Sequence, residues 1–457
     1  MKNLLERVAQ ETPKNFDYEW LGKFVRSIDP QQLDYRTLLP QITSQQDYAR
    51  NILCLEPFEC VLLYWPPGVE SAVHHHEGFW GYVLCLEGAI DNIEYTLKDG
   101  QLLESRAVRA YAGGVLNEPD GTIHKIVNAS DEEYLVTLHF YYPALDNLDQ
   151  LRLFDLEGGR IATLNEKAVT ASFGQPEDCY RTIEENAFVY IPLEENNTAR
   201  SHRIYPILPK PDSSRIAELL SAYYKEQAFE YDSFDLKHKS RKKYTERINT
   251  LIAEYLKKIQ PDRVLDLACG TGRRAADIKA LSGIDYTILG IDLSPEMCAV
   301  ARNRNINAEA GNWLQMEMTG EETDVVTFLY AYGHIPTEQE RKESLEKVYA
   351  TLNPGGYFFF DAFNINDQTE WGPQAVKAFE EHNLESFGYE RGDVFYQKVG
   401  GEEVAFLHYC EEDKLKAFVE SVGFKVEAIL HIGYVHNSGE ILDRNDAGAL
   451  FVIARKD

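Results

Sequence analysis

Two stretches decide how the first half of this chain folds: GVESAVHHHEGFWGYVLCLEG, residues 68–88, and GGVLNEPDGTIHKIVN, residues 113–128. His74 and His76 are two apart, so in a strand their side chains share a face and His75 points to the other. His124 comes from a later strand, after the tight turn shaped by Pro119 and Gly121. In a small barrel such strands bring three imidazoles to one interior point.

The flanking pattern agrees. From Asn51 to about Tyr142 the chain runs in short alternating apolar segments. Turn signals at Pro66-Pro67-Gly68, Lys98-Asp99-Gly100, Gly113-Gly114 and Pro119-Asp120-Gly121 separate them. Many short strands with regular turns predict a sandwich or barrel. Residues 1–45 read as two short helices, and weak strands are expected at Leu151–Asp155 and Ala187–Ile191.

The paired stretches resemble the two-part signature of the cupin superfamily: Gly68-x5-His74-x-His76-x4-Gly81-x6-Gly88, then Gly113-x5-Pro119-x-Gly121-x2-His124-x3-Asn128. That signature carries a glutamate where this chain has Gly81. The resemblance therefore implies three histidine ligands and no carboxylate. A neutral facial site of this kind suits ferrous iron with open positions for oxygen chemistry, although ligand type leaves zinc, manganese and nickel open.

Across roughly residues 30–190 the likeness narrows to the cysteine dioxygenase family. Tyr48-Ala49-Arg50-Asn51 looks like the segment whose arginine holds a substrate carboxylate. Trp65-x-x-Gly68-x-x-Ser71-x-x-His74 looks like the approach to the first metal ligand. Thr137-x-His139-x-Tyr141, before Pro143, resembles the family's outer Ser-His-Tyr row, with threonine for serine. The resemblance implies Fe(II), O2 as co-substrate and a small thiol amino acid oxidised to its sulfinic acid. Arg50 and Tyr48 would bind substrate, and Tyr141, His139 and Thr137 would serve the chemistry. Some relatives carry at position 81 a cysteine cross-linked to the tyrosine, so that cross-link should be missing. A non-redox metal cupin, or a ligand-sensing one, is the alternative.

The 457 residues are too many for one core and predict two domains or three. The net charge of −28 argues against nucleic acid or an anionic membrane surface as partner. No run of 18 apolar residues and no secretory leader is visible. Seven scattered cysteines without a C-x-x-C suit a reducing cytoplasm. The expected organisation is an all-β domain over 1–195, an extended linker over 196–214 carrying Pro206, Pro209 and Pro211, and an α/β domain over 215–457.

In that last part strands and helices alternate, as in a doubly wound parallel sheet. Val264-Leu-Asp266-Leu-Ala-Cys-Gly270-Thr-Gly272-Arg273 is a strand running into a glycine turn and a helix, and Asp292 closes the next strand. The D-L-A-C-G-T-G form followed 26 positions later by an acid resembles the class I S-adenosylmethionine-dependent methyltransferases. The glycines would let the backbone approach the cofactor. Asp266 would stand near its amino-acid end, Asp292 would accept the ribose hydroxyls, and Asn312 would contact the adenine. Tyr332 and His334 are candidates for the acceptor site. Tyr223, Tyr224 and Tyr231 could cap the cofactor or belong to the core.

Overall fold

The computed structural model describes residues 1–42, 47–145, 147–192, 202–227, 232, 239–316, 323–398, 401, 403–433 and 444–457. Two compact units emerge. The first comprises Met1–Pro211 with His382–Gly388 and Tyr396–Glu402; the second comprises Asp212–Glu381, Tyr389–Phe395 and Glu403–Asp457.

The first unit opens with α1 (Lys2–Glu11) and α2 (Tyr18–Arg26). Asp17 caps α2 by accepting the Trp20 amide at 2.8 Å. Fifteen strands follow: β1 (Ala49–Cys54), β2 (Glu59–Trp65), β3 (Val73–His75), β4 (Trp80–Glu87), β5 (Ala89–Lys98), β6 (Gln101–Tyr111), β7 (Val115–Glu118), β8 (Ile123–Asn128), β9 (Leu135–Tyr142), β10 (Arg152–Asp155), β11 (Arg160–Leu164), β12 (Tyr180–Glu184), β13 (Val189–Ile191), β14 (His202–Ile204) and β15 (Ile207–Leu208). All but β14 form two sheets. One is ordered β1-β2-β9-β4-β7, the other β12-β11-β10-β3-β8-β5-β6-β13 with β15 added on β6. This is the expected cupin-type barrel.

Strand β9 shows how the sequence builds it. Thr137, His139 and Tyr141 share one face, and Leu138 and Phe140 share the other. Phe140 meets Phe58, which meets Phe24 of α2. The apolar row therefore lies towards the helices and the polar row faces the barrel interior.

One rung crosses the first sheet at the level of the site. Glu59 pairs with Tyr141, Tyr141 with Gly81, and Gly81 with Glu118. Cross-strand partners point to the same face, so all four belong to the interior. A Cβ on Gly81 would lie 2.1 Å from the Phe140 carbonyl oxygen and 2.6 Å from Cδ1 of Tyr141. The tyrosine ring occupies the space any side chain at 81 would need.

The segment read as a linker is docked in its described part. Ile207 and Leu208 pair in parallel with Arg109 and Ala110. Tyr205 is buried and donates to Asp91 Oδ1 at 2.6 Å. Ser213 and Ser214 already belong to the next helix, and residues 196–201 lie outside the described residues. Prolines at 206, 209 and 211 keep the strap extended without preventing this short pairing.

The second unit contains α3 (Ser213–Gln227), α4 (Lys239–Ile259), β16 (Arg263–Leu267), α5 (Arg273–Ser282), β17 (Thr287–Asp292), α6 (Pro295–Arg302), β18 (Asn307–Ala310), β19 (Thr323–Phe328), α7 (Glu338–Thr351), β20 (Leu352–Asn364), α8 (Gly372–Glu381), β21 (Asp393–Lys398), β22 (Val404–Cys410), α9 (Glu412–Ser421), β23 (Phe424–Ile432) and β24 (Ala449–Lys456). The central order is β18-β17-β16-β19-β20-β24-β23. The first five strands are parallel and β24 is antiparallel to both neighbours. Apolar clusters cover both faces. Tyr244, Ile248, Ile252 and Leu256 of α4 lie against Val264 and Phe359; Leu345, Val348, Leu415 and Val419 of α7 and α9 lie against Leu265 and Phe358. Strand order reverses between β16 and β19, the switch point where doubly wound sheets hold ligands. Among the described residues no helix is long and apolar enough to cross a membrane.

Gly81→Ala tests the close approach over the rung. Overpacking against a backbone carbonyl cannot relax by rotamer change, so the substitution should cost about 3 kcal/mol. A urea unfolding midpoint unchanged from the parent protein would contradict this packing.

Candidate metal centre and cofactor turn

His74 of β3 and His124 of β8 are direct cross-strand partners. His76 follows β3, held by its amide to the Thr122 carbonyl and by the Gly121 amide to its own carbonyl. All three rings are buried. His124 Nε2 stands 3.1 Å from His74 Nε2 and 3.0 Å from His76 Nε2. His75 lies on the opposite face, beside Glu77.

The other ring nitrogens fix two tautomers. His74 Nδ1 lies 3.0 Å from the Ala72 carbonyl, which only accepts, so Nδ1 carries the hydrogen. His124 Nδ1 lies 2.5 Å from Asn92 Oδ1, while the amide nitrogen of Asn92 points to Glu94. His124 therefore also donates from Nδ1. Two bare nitrogen lone pairs face each other across 3.1 Å, an arrangement that repels unless a cation lies between them. Burial pushes His74 down to about 4 and holds His76 and His124 well below the usual histidine range. The three imidazoles are neutral near pH 7 and could hold a metal ion. Bonds of about 2.1 Å at right angles separate ligand nitrogens by about 3.0 Å, whereas a tetrahedral ion needs about 3.4 Å. The two spacings from His124 match adjacent octahedral positions.

A hydrogen-bonded row runs beside this point. Trp65 Nε1 donates to Thr137 Oγ1 at 2.9 Å. Thr137 Oγ1 is 2.8 Å from His139 Nε2, and His139 Nδ1 is 2.7 Å from the Tyr141 hydroxyl. Indole N–H only donates, so Thr137 Oγ1 accepts from Trp65, and the hydroxyls of Thr137 and Tyr141 hold the two ring nitrogens of His139 between them. Burial pushes the Tyr141 phenol well above its usual range, so it keeps its proton.

Arg50 donates to Glu59 Oε1 at 3.2 Å, and Glu59 Oε2 accepts the Leu145 amide at 2.9 Å. Glu59, unremarked in the sequence, anchors the guanidinium at the edge of the row. After burial, the charge of Arg50 is the next influence depressing His139. Tyr48 stacks on Trp65 at 4.1 Å and accepts the Ala171 amide at 2.6 Å. It is pinned as a wall.

A carboxylate that the sequence reading did not single out lies beside the three histidines. Glu118 is fully buried, with Oε1 3.6 Å from His124 Nε2 and Oε2 3.8 Å from His76 Nδ1. Burial pushes its carboxyl up to about 8, against the Tyr141 hydroxyl, which lowers it. Glu118 fell among the unassigned positions of the second stretch. Its signal was alternation, because Leu116 and Glu118 share a face of β7 and Leu116 is plainly apolar.

In the second unit, Asp266 ends β16 facing the switch point and accepts the Thr327 hydroxyl at 2.6 Å. Asp292 accepts the Gly270 amide at 2.8 Å and the Ser294 amide at 2.9 Å, which ties the glycine turn to the end of β17. Gly270 and Gly272 both have positive φ, at 53° and 71°. They differ in use. A Cβ on Gly270 would meet open space, while one on Gly272 would press on Ala301 and Ile306 at 3.0 Å. Gly270 leaves room for a cofactor and Gly272 lets α6 close in. Asn312 Oδ1 accepts the Leu314 amide at 3.0 Å, so it shapes its own turn.

Several residues here were not singled out by the sequence. Asp361 accepts the Tyr330 amide at 2.6 Å and the Tyr244 hydroxyl at 2.9 Å. Tyr330 holds φ 61°, a strained conformation for a bulky residue. Arg274 lies over the Tyr330 ring at 4.9 Å and donates from Nε to Asn249. Its two terminal nitrogens are buried without a hydrogen-bond partner among the described residues. Tyr332 is core, packed on Phe360. His334 donates from Nδ1 to the Phe406 carbonyl at 2.7 Å, and its Nε2 takes the Tyr224 hydroxyl at 2.9 Å. Both nitrogens are spent, so His334 positions Tyr224 and is not a free base. Tyr223 is buried. Tyr231 lies outside the described residues.

Comparison with known proteins agrees with this division. The family model for cysteine dioxygenase type I matches residues 28–155, and that for a methyltransferase domain matches residues 264–356. Carboxy-S-adenosyl-L-methionine synthase of Campylobacter fetus is 27% identical over 191 residues, 40% of this chain and 79% of that protein. The putative methyltransferase YqeM of Bacillus subtilis is 26% identical over 152 residues, 32% of this chain and 58% of that protein. Glycine/sarcosine N-methyltransferase of Halorhodospira halochloris is 24% identical over 192 residues, 37% of this chain and 68% of that protein. The chain joins a cysteine dioxygenase-type cupin to a Rossmann-like methyltransferase domain.

Asp266 gives a pH signature. Burial raises its carboxyl from 3.8 to about 6, against the Thr327 hydroxyl and the Arg274 charge, which lower it. An acid raised in the folded state favours folding when protonated, so this contribution is complete below 3.8 and disappears as pH rises through about 6. The ligand-free protein should lose on the order of 3 kcal/mol over that window from this group. Asp266→Asn should flatten the fall in urea midpoint between pH 4 and pH 7. An equally steep fall in the variant would place the titrating group elsewhere.

Proposed function

We propose that the first unit is an iron-dependent thiol dioxygenase acting on cysteine or a related small thiol. The second unit is an S-adenosylmethionine-dependent methyltransferase for that product or a related small molecule, with nitrogen as acceptor. The observation that carries the first half is the pair of lone-pair nitrogens facing each other at 3.1 Å, with both tautomers fixed from behind. Facing lone pairs of this kind support the reading of a cation between them.

His74, His76 and His124 would hold Fe(II), which supplies dioxygen activation and keeps a bound thiol deprotonated. The remaining steps belong to the protein. Arg50, steadied by Glu59, offers its guanidinium to a substrate carboxylate as a charge-assisted fork. Trp65 and Tyr48 wall the pocket and keep water out. Thr137 and His139 fix the Tyr141 oxygen so that its hydroxyl hydrogen can be donated inward. Thiol and dioxygen give the sulfinic acid with both oxygen atoms on sulfur: sulfur loses four electrons and dioxygen gains them.

In the second unit S-adenosylmethionine supplies an electrophilic methyl group. Asp266 would take its ammonium and Asp292 its ribose hydroxyls. The unpartnered terminal nitrogens of Arg274 suit its carboxylate. His334 is already bonded on both sides and offers no free base. The acceptor is then a nitrogen that arrives unprotonated, aligned by the pocket. The likeness to a glycine/sarcosine N-methyltransferase supports a small amine. Seven unbridged cysteines suit a reducing compartment, the cytoplasm.

The test is to load the purified protein with Fe(II) and supply air, S-adenosylmethionine and a panel of small thiols. One O2 should be consumed per thiol with a 32-dalton gain, and methyl transfer should appear as 14-dalton steps. His124→Ala should abolish oxygen uptake. Arg50→Ala should lower kcat/KM for cysteine about 10–100-fold and spare cysteamine, which has no carboxylate. Stoichiometric zinc in the isolated protein, with no oxygen uptake from any thiol, would favour a non-redox cupin.

A further inference from the structure

The second sheet carries a rung of its own at the level of the histidines. Arg106 of β6 pairs with Glu94 of β5, Glu94 with His124 of β8, and His124 with His74 of β3. Partners across strands share a face, and Asn92, two residues before Glu94, shares it too. Their side chains form a line along that face. Arg106 Nε donates to Glu94 Oε2 at 2.6 Å, the Asn92 amide nitrogen lies 3.5 Å from Glu94 Oε1, and Asn92 Oδ1 lies 2.5 Å from His124 Nδ1. Asn92 and Glu94 are both buried.

Without this line the histidines would favour the other tautomer of His124. His74 Nε2 is bare, because the Ala72 carbonyl keeps the hydrogen on its Nδ1. A hydrogen on His124 Nε2 would reach that lone pair across 3.1 Å, or His76 Nε2 across 3.0 Å. Both are ordinary hydrogen-bond distances. Asn92 would only have to turn its amide over and donate to Nδ1. Repulsion between two bare nitrogens would be exchanged for a hydrogen bond, and that hydrogen would block the point where an ion would bind. Glu94 opposes the turn. Its carboxylate, paired with Arg106, accepts hydrogen bonds and has no hydrogen to give. A turned Asn92 would set its oxygen against that carboxylate and lose a charge-assisted contact.

We propose that Glu94, anchored by Arg106, sets the tautomer of His124. It is a positioning residue that fixes the Asn92 amide and so keeps the His124 Nε2 lone pair open to a metal ion. This rests on the metal-centre reading above and adds the group that holds the donors ready before an ion arrives. The interposed amide has a second effect. A carboxylate directly on His124 would make the imidazole a more basic ligand; Asn92 keeps that charge one side chain away.

Nitrogen NMR of the metal-free, full-length protein labelled with 15N-histidine reads the tautomer, because a ring nitrogen bearing hydrogen and a bare one resonate far apart. The His124 signals are those lost in His124→Gln. The parent protein should carry the hydrogen on Nδ1. Glu94→Gln keeps the size but can donate to a turned Asn92, so the hydrogen should move to Nε2 and Co(II) should bind about 10–100-fold more weakly. Adding Asn92→Asp to Glu94→Gln offers only oxygens to Nδ1 and should return both tautomer and cobalt affinity towards the parent. A parent His124 with its hydrogen on Nε2 would overturn the proposal without any variant. So would a Glu94→Gln protein that keeps the parent tautomer, or an inverted tautomer that the double variant does not restore. If the tautomers follow the expectation and the parent takes up no cobalt, the hold of Glu94 on His124 stands and the metal-centre reading falls.

Discussion

The interior of the barrel depends on one close approach, the Tyr141 ring lying over a residue with no side chain. With Cδ1 only 2.6 Å from where a Gly81 Cβ would be, the ring cannot move towards β4 and is backed by β2 through the Glu59 pairing. Its hydroxyl is thereby held where His139 reaches it. The same bare backbone leaves Glu118, one strand further on, a clear line into the interior. A larger residue at 81 would expel the ring and with it the order of the Trp65–Thr137–His139–Tyr141 row. Local sterics at a glycine thus set the electrostatics of a site whose chemistry lies in other residues.

Much of this was legible from sequence because it depends on period and spacing. The two-residue intervals 74/76 and 137/139/141 fix shared faces in any strand, and the turn at Pro119–Gly121 fixes where the next strand starts. The alternation of strands and helices after Arg263 gave the doubly wound sheet for the same reason. What escaped were pairings between strands. Glu118, Glu59 and Asn92 matter through the residues opposite them, and register is set by the whole sheet. The strap over residues 202–208 was read as part of an extended linker because prolines and polar residues dominate it. Its docking depends on the single buried Tyr205 and on a partner edge about 100 residues earlier in the chain.

The second unit repeats the lesson with a different fold. D-L-A-C-G-T-G announces a turn that approaches a ligand, and the geometry then divides the labour between its glycines. Asp361 and Tyr330 sit at the ends of β20 and β19, and Arg274 and Tyr244 come from helices, so no short motif joins them. The strained φ of Tyr330 is maintained by the Asp361 carboxylate that accepts its amide. Strain kept by a buried charge, beside a guanidinium with unused donors, is how a pocket is held ready for an ionic ligand.

Charge balance connects the geometry of the barrel to its chemistry. The imidazoles are neutral, and Arg50 and Glu59 cancel each other. Glu118 remains, so the interior as folded carries either one buried negative charge or one buried acid proton. Two imidazole lone pairs are turned towards the same point. A proton would satisfy the carboxyl and leave the nitrogens facing each other. A divalent cation at that point would answer both at once. The proposed thiol chemistry would then rest on the positions such a cation leaves open.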